Sequence, residues 1–289
     1  MIDVVTLKDG AQSAASIAER LRAFIASARE SLDIASYDFN LSTPVEGAVI
    51  GAIRDAAAGG VAVRIAYNTD HAMPIPVPPP PATDVEQLGA CGVPIAAIPG
   101  VPHLMHHKYV VRDGSVVWTG STNWTDDSWT REENVVVVLD SGDVAASYRR
   151  DFDDLWTGRV VARSGKFTPP PGAARAWFSP GRGMRISHRI AQAIARAEHR
   201  VRVVSPVITS GPILGTIAEI AAGGRIDLAG AFDQTQMDDV RRQWTADQHA
   251  AWKIPAFDGV VAHAPFGGKR STPYAPGSVH DYMHAKFTV

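Results

Sequence analysis

The chain has 289 residues, 45% of them hydrophobic and 20% charged, with a formal net charge of -2. That composition fits a soluble globular protein long enough for two ordinary domains, and it supplies no global positive field for nucleic acid. The single cysteine, Cys91, excludes an internal disulfide framework and a cysteine-based zinc site, and reads as a small buried apolar residue.

Met1 to Gly10 lacks both the basic and the apolar segment of a secretory signal, and no run of 18 apolar residues follows. The expectation is a soluble chain in the cytoplasm. Ser16 to Glu30 carries Ile17, Leu21, Phe24, Ile25 and Ala28 at helical spacing, and Ser31 to Tyr37 then alternates as a strand does. Val45 to Ala58 is predicted helical, stopped by Gly59-Gly60, and Val61 to Tyr67 is the next strand. Met73 to Ala82 holds four consecutive prolines and is expected to be stiff and extended, either a surface connection or a rim to a site.

Val135 to Leu139 is an unbroken apolar run, expected to be a buried strand, and a helix bearing Arg149-Arg150 on a solvated face follows. Pro169-Pro170-Pro171-Gly172 suggests a boundary, giving a first lobe over 1–160, a linker over 161–174 and a second lobe over 175–289. The second lobe repeats the order of the first: helix Ile186 to Glu198, strand Arg200 to Val204, helix Pro212 to Ala222, Gly223-Gly224, strand Arg225 to Ala231. Helices alternating with strands in two similar halves predict an α/β fold with two α/β/α lobes around mixed central sheets. An insert from Thr235 to Gly259, with Trp244 and Trp252, reads as a solvated helix packing its aromatics inward or as a flap.

Chemistry concentrates in His106-His107-Lys108 and Asp113, an H-x-K-x4-D pattern, followed by Gly120-Ser121-Thr122-Asn123. Period-two alternation puts His106, Lys108 and Val110 on one face of a strand and sends His107 and Tyr109 to the other. Asp113-Gly114 is a hairpin signal, and the parity of Asp113 suits bracing the fold better than touching substrate. The return strand ends at Gly120-Ser121, where a bend can carry Asn123 back toward His106. Glu133-Asn134 opens the apolar run, and a carboxylate there can hold an imidazole N–H. An imidazole, an ammonium and a carboxamide suit nucleophilic attack on a phosphodiester. His103, His106 and His107 also invite a zinc reading, which the opposite directions of His106 and His107 disfavour. Trp118, Trp124 and Trp129 are expected in the core, with Trp124 also placed to wall a pocket. The chain ends on His284-Ala285-Lys286-Phe287-Thr288-Val289, a second H-x-K without its Asp.

These residues resemble the duplicated H-x-K-x4-D enzymes of the phospholipase D superfamily. The resemblance implies one active site at the lobe interface and a phosphohistidine intermediate, with no metal and no cofactor. It makes His106 the nucleophile and His284 the general acid and base, two roles that could be exchanged. Lys108, Lys286 and Asn123 would clamp the phosphate, Ser121 would add a hydroxyl contact, and Glu133 would orient His106. It also implies that the second lobe is incomplete, cut within its motif. The partner is a phosphodiester substrate, phospholipid favoured over nucleic acid because the net charge is near zero, with peripheral membrane contact. A two-lobed monomer is expected, with a dimer as a second route to a complete site. A metal-independent nuclease and an inactive phosphate-binding or interaction module are the competing readings.

Overall fold

The computed structural model describes residues 1–69, 83–275 and 277–289, and the chain divides into two units between Arg182 and Gly183. The first unit contains β1 (Ile2–Leu7), α1 (Ala14–Ala26), β2 (Ser31–Ser36), β3 (Phe39–Asn40), α2 (Val45–Ala58), β4 (Ala62–Asn68), α3 (Val85–Ala90) and β5 (Ile95–Ile98). It continues through β6 (Lys108–Arg112), β7 (Val116–Gly120), β8 (Trp124–Thr125), α4 (Asp126–Thr130), β9 (Asn134–Asp140) and α5 (Gly142–Gly158). Its main sheet has the order β1-β9-β7-β6-β2-β4-β5. Neighbours among β2, β4 and β5 run parallel, and each neighbouring pair from β2 through β6, β7 and β9 to β1 is antiparallel.

Strand alternation sorts the core into two layers. Val110, Leu32, Ile34 and Ile65 face the apolar sides of α1 and α2, supplied by Leu21, Ile25, Val49 and Ile53. Tyr109, Val111 and Val117 face the other way, against Phe152 and Leu155 of α5. The unit is therefore an α/β/α sandwich. Cys91 is buried, and burial pushes its thiol up to about 11.

The second unit runs α6 (Gly183–Ala195), β10 (Arg200–Val204), α7 (Gly211–Gly223), β11 (Asp227–Asp233), α8 (Gln234–Ala246), α9 (Lys253–His263), β12 (Phe266–Lys269) and β13 (Phe287–Thr288). Its sheet order is β12-β11-β10-β13, parallel across the first three and antiparallel between β10 and β13. The order β5-β4-β2-β6 in the first unit has the same directions throughout. The weak internal repeat of the sequence is thus a repeat of topology, and β13 corresponds to β6.

Several expectations change. Residues 161–174 do not link two lobes: Val161 and Phe167 belong to the core beneath α5, joined by Ala176 and Phe178. Pro and Gly mark turns there, and the apolar residues between them decide the packing. Helix α1 ends at Ala26, short of Glu30, for a reason given below. β9 is not fully buried: of Val135 to Leu139 only Val136 is, because a single strand, β1, lies outside it. The insert folds as two helices, α8 and α9, with Trp244 in the core and Trp252 exposed. The stretch Met73 to Ala82 lies outside the described residues. No helix of the described residues is long and apolar enough to cross a membrane.

Candidate active site

The ladder of β6 begins at Lys108, which pairs with Ser36 of β2. His106 lies just ahead of it, exposed, with its ring edge-on to Tyr37 at a centroid distance of 4.3 Å. The Tyr37 amide donates to the His107 carbonyl at 2.9 Å, which fixes the main chain beside His106. Lys108 is buried, 6% exposed. Its Nζ donates to the His106 carbonyl at 3.1 Å and stands 4.6 Å from the centre of the Tyr37 ring. An ammonium withdrawn from water is costly unless dipoles or π faces compensate it. Held in that setting, it acts strongly on any anion brought near, since little water screens it.

Asp113 of the motif braces the fold, as its parity suggested. It occupies a left-handed turn position, φ 52°, between β6 and β7. Its Oδ1 accepts from the backbone amides of Glu30 at 2.7 Å, Arg29 at 3.0 Å and Ser31 at 3.0 Å. Continuing α1 would require the amides of Arg29 and Glu30 to bond carbonyls four residues back. Asp113 takes them instead, so the helix ends early and the chain turns into β2.

Burial pushes the Asp113 carboxyl up, but the three backbone donors outweigh it and the net position is below the ordinary carboxylate value. A carboxylate held low stabilises the fold above its unfolded-state value near pH 4, and that contribution drains as pH falls through the folded value. Asp113→Ala should therefore cost about 1–2 kcal/mol at pH 7 for these partly exposed bonds. In urea titrations the gap from the parent should narrow at pH 3; an equal gap at both pH values would contradict this role.

Gly120, Ser121 and Asn123 follow β7. The Ser121 hydroxyl donates to Asn134 Oδ1 at 2.6 Å and accepts from the Val135 amide at 3.0 Å. It is buried, and its proton is committed to Asn134, so it braces the β7–β9 crossing and is not set out for substrate. Asn134 Nδ2 in turn donates to Glu132 Oε2 at 2.9 Å and to Ser128 Oγ at 3.1 Å. Ser128 Oγ accepts the Asn123 amide at 3.0 Å. Glu132, the neighbour of Glu133, is thus a buried carboxylate of this network. Glu133 is half-buried, directly ahead of β9.

Asn123 Oδ1 is buried without a hydrogen-bond partner among the described residues. Next in chain, Trp124 donates its amide to the Asp38 carbonyl at 3.2 Å, and Asp38 follows Tyr37. The chain thereby carries Asn123 to the segment whose aromatic ring touches His106. The Trp124 side chain is core, tilted against Phe39 with ring centroids 5.3 Å apart, and Trp118 and Trp129 are buried too.

His107 turns to the other layer. Its Nε2 lies 3.1 Å from Asp151 Oδ2, a carboxylate with no exposure. Asp151 also accepts from the Tyr109 hydroxyl at 3.2 Å and from the Ser164 hydroxyl. Burial first, and Asp151 second, push the Tyr109 hydroxyl well above the ordinary phenol value. Neither Tyr37 nor Asp151 was singled out from the sequence. The available signal was an aromatic at the end of the strand paired with the motif strand.

In the second unit, Lys286 Nζ donates to the His284 carbonyl at 2.6 Å, the counterpart of the bond from Lys108 to His106. Ser205 Oγ donates to the Val207 carbonyl at 2.8 Å just as Ser36 Oγ donates to that of Asp38. His284 is half-buried and Lys286 exposed, since β13 is the edge strand of its sheet where β6 is interior. Among the described residues, no group of three or more His, Cys, Asp or Glu side chains is placed to hold a metal ion.

These features define a duplicated α/β protein whose halves carry H-x-K at the same place in their sheets. Residues 21–156 match the family described as "Cardiolipin synthase, PLD-like domain". Over 137 residues the chain is 27% identical to a mitochondrial cardiolipin hydrolase of Xenopus laevis, covering 47% of this chain and 60% of that protein. It is 32% identical over 97 residues to a mitochondrial cardiolipin hydrolase of Chlamydomonas reinhardtii, covering 34% of this chain and 40% of that protein. In both cases the chain spans less than two thirds of the relative's length. The fold is shared with phosphatidylserine synthase of Haemophilus influenzae Rd KW20, at a TM-score of 0.58 and 10% identity, over 81% of this chain and 62% of that one. Residues 21–156 therefore resemble a phospholipase D-like domain.

Proposed function

We propose that the chain is a phospholipase D-like phosphodiesterase that works through a phosphohistidine intermediate on a phospholipid. The observation that carries this reading is the exposed His106 imidazole beside a buried ammonium, Lys108, that is tied to the same residue's carbonyl. An imidazole lone pair on His106 attacks phosphorus: a P–N bond forms, and the P–O bond to the head-group alcohol breaks. The departing oxygen needs a proton, and His284 is the residue of this chain with the chemistry to give it. Water then attacks phosphorus, the P–N bond breaks, and the proton lost by water restores the acid.

Lys108 and Lys286 stabilise the non-bridging oxygens, whose negative charge grows in the transition state. Asn123 joins them through its amide N–H groups, because its oxygen is the buried end. Glu133 is assigned to hold the imidazole of His106. Lipid is favoured over nucleic acid because a chain of net charge -2 has no basic excess to track a polyanion. The relatives named for cardiolipin support the same choice.

The test is hydrolysis of cardiolipin in detergent micelles, beside an aryl phosphodiester and single-stranded DNA, all in excess EDTA. Turnover of the lipid and the aryl ester should persist in chelator. Loss of activity in EDTA would overturn the mechanism, and cleavage of DNA alone would overturn the substrate.

A further inference from the structure

The ladder of β6 starts at Lys108, so the residue before the motif histidine has to be held by something else. In the first unit that is Asn68, the last residue of β4, whose Oδ1 accepts the Met105 amide at 3.0 Å. In the second unit it is Asp233, the last residue of β11, whose Oδ2 accepts the Met283 amide at 3.0 Å. Both are buried, Asn68 at 4% exposure and Asp233 at 0%. Both bind the amide one residue ahead of the motif histidine, His106 or His284. They occupy equivalent strands of the repeated sheet order.

Their remaining polar atoms are satisfied locally. Asn68 Nδ2 donates to the Thr69 carbonyl at 2.8 Å. Asp233 Oδ1 accepts from the Gln236 amide at 3.0 Å and from the Ser271 hydroxyl at 2.8 Å. Asn68 Oδ1 and Asp233 Oδ2 are thus left for the amide ahead of each motif histidine.

We propose that Asn68 and Asp233 are a duplicated pair of positioning residues that set the main chain entering each H-x-K motif and so aim its histidine. For His106 the main chain is then bracketed: Met105 N on Asn68 on one side, His107 O on the Tyr37 amide on the other. These two tethers set the main chain on either side of the His106 imidazole, which also meets the Tyr37 ring edge-on. The two units reach the same geometry with a neutral amide in one and a carboxylate in the other. What they share is an oxygen acceptor at the strand end, and charge is not the requirement.

The effect on turnover rests on the phosphodiesterase reading above; the tether itself does not, and the experiment separates them. Asn68→Leu removes the acceptor at similar size, and Asn68→Asp keeps it. Asn68→Leu should lower kcat about 100-fold with KM within about twofold, the pattern of a misaimed nucleophile. Asn68→Asp should restore kcat to within about tenfold of the parent, as a merely structural contact to Thr69 would not. Amide hydrogen exchange gives the readout independent of turnover. The Met105 amide should be protected in the parent and in Asn68→Asp, and should exchange faster in Asn68→Leu while Val110 and Val111 stay protected. Met105 exchange unchanged in Asn68→Leu would overturn the tether. Faster Met105 exchange with unaltered kcat, or an Asn68→Asp as slow as Asn68→Leu, would overturn the positioning role. A parent protein without turnover would count against the phosphodiesterase reading alone, and the exchange result would still decide the tether.

Discussion

His106→Ala should lower kcat by roughly four orders of magnitude or more, the loss expected when a covalent nucleophile is removed. KM should hardly move, because in the proposed mechanism Lys108 and Asn123 bind the phosphate independently of the His106 ring. Stability should change by no more than about 0.5 kcal/mol, since the ring is exposed and sits edge-on to Tyr37. In acid- and alkali-quenched reactions with a phosphorus-labelled substrate, the parent should carry label that survives alkali and is lost in acid, as a P–N bond is. The variant should carry none. His107→Ala is the internal contrast: its partner Asp151 has no exposure, so that change should lower the melting temperature and leave kcat within about tenfold. If His107→Ala were the inactive protein and His106→Ala the active one, the assignment of the nucleophile would be reversed.

Gly120→Ala should be the most damaging single methyl in the first unit. A Cβ at Gly120 would lie 2.1 Å from the Val135 carbonyl oxygen and 3.0 Å from Val136 Cα, both main-chain atoms of β9. Gly120 pairs with Val136, so the clash falls inside the ladder and no side chain can swing aside to relieve it. Its φ of 156° is a further cost for any residue with a Cβ. The expected destabilisation is about 3–5 kcal/mol, a fall in melting temperature of roughly 10 °C or more. Activity should fall with it, because Ser121 and Asn123 hang from the same crossing. A variant melting within a degree or two of the parent would show that β7 and β9 can part freely there.

Where the sequence carried a local stop or a period, it was enough to set the element. Val45–Ala58 is helical between those residues because Gly59 and Gly60 end it, and Arg200–Val204 has the alternation of a strand. The direction of Lys108 and Val110 against Tyr109 and Val111 follows from parity alone. What could not be read was set by partners distant in sequence. The early end of α1 is decided by Asp113, 84 residues from Arg29. The half-exposure of β9 depends on its being next to an outer strand, and β1 was not recognised as one. The packing of residues 161–182 under α5 depends on a hydrophobic layer that the Pro and Gly signals obscured.

The site divides along the same line. The neighbourhood of His106 and Lys108 was legible because motif spacing is local. Tyr37, Asn68 and Asp151 were not, because each reaches the motif through tertiary contact. Ser121 shows the converse failure. Its place in the motif suggested a substrate contact, and only the geometry shows that its proton goes to Asn134.

The place of β1 in the sheet also bears on how the protein is made. Ile2–Leu7 leaves the ribosome long before its partner, Asn134–Asp140, and pairs with nothing else among the described strands. At about 5–20 residues per second, that separation leaves an apolar strand unpaired for several seconds or more. The central strands β2 and β4 can associate in the meantime, being close in sequence, while the outer edge stays open. Sealing of the first unit is therefore timed by the synthesis of β9. A translational pause before Asn134 would lengthen the interval in which β1 is exposed to other nascent chains, and the soluble yield would register it.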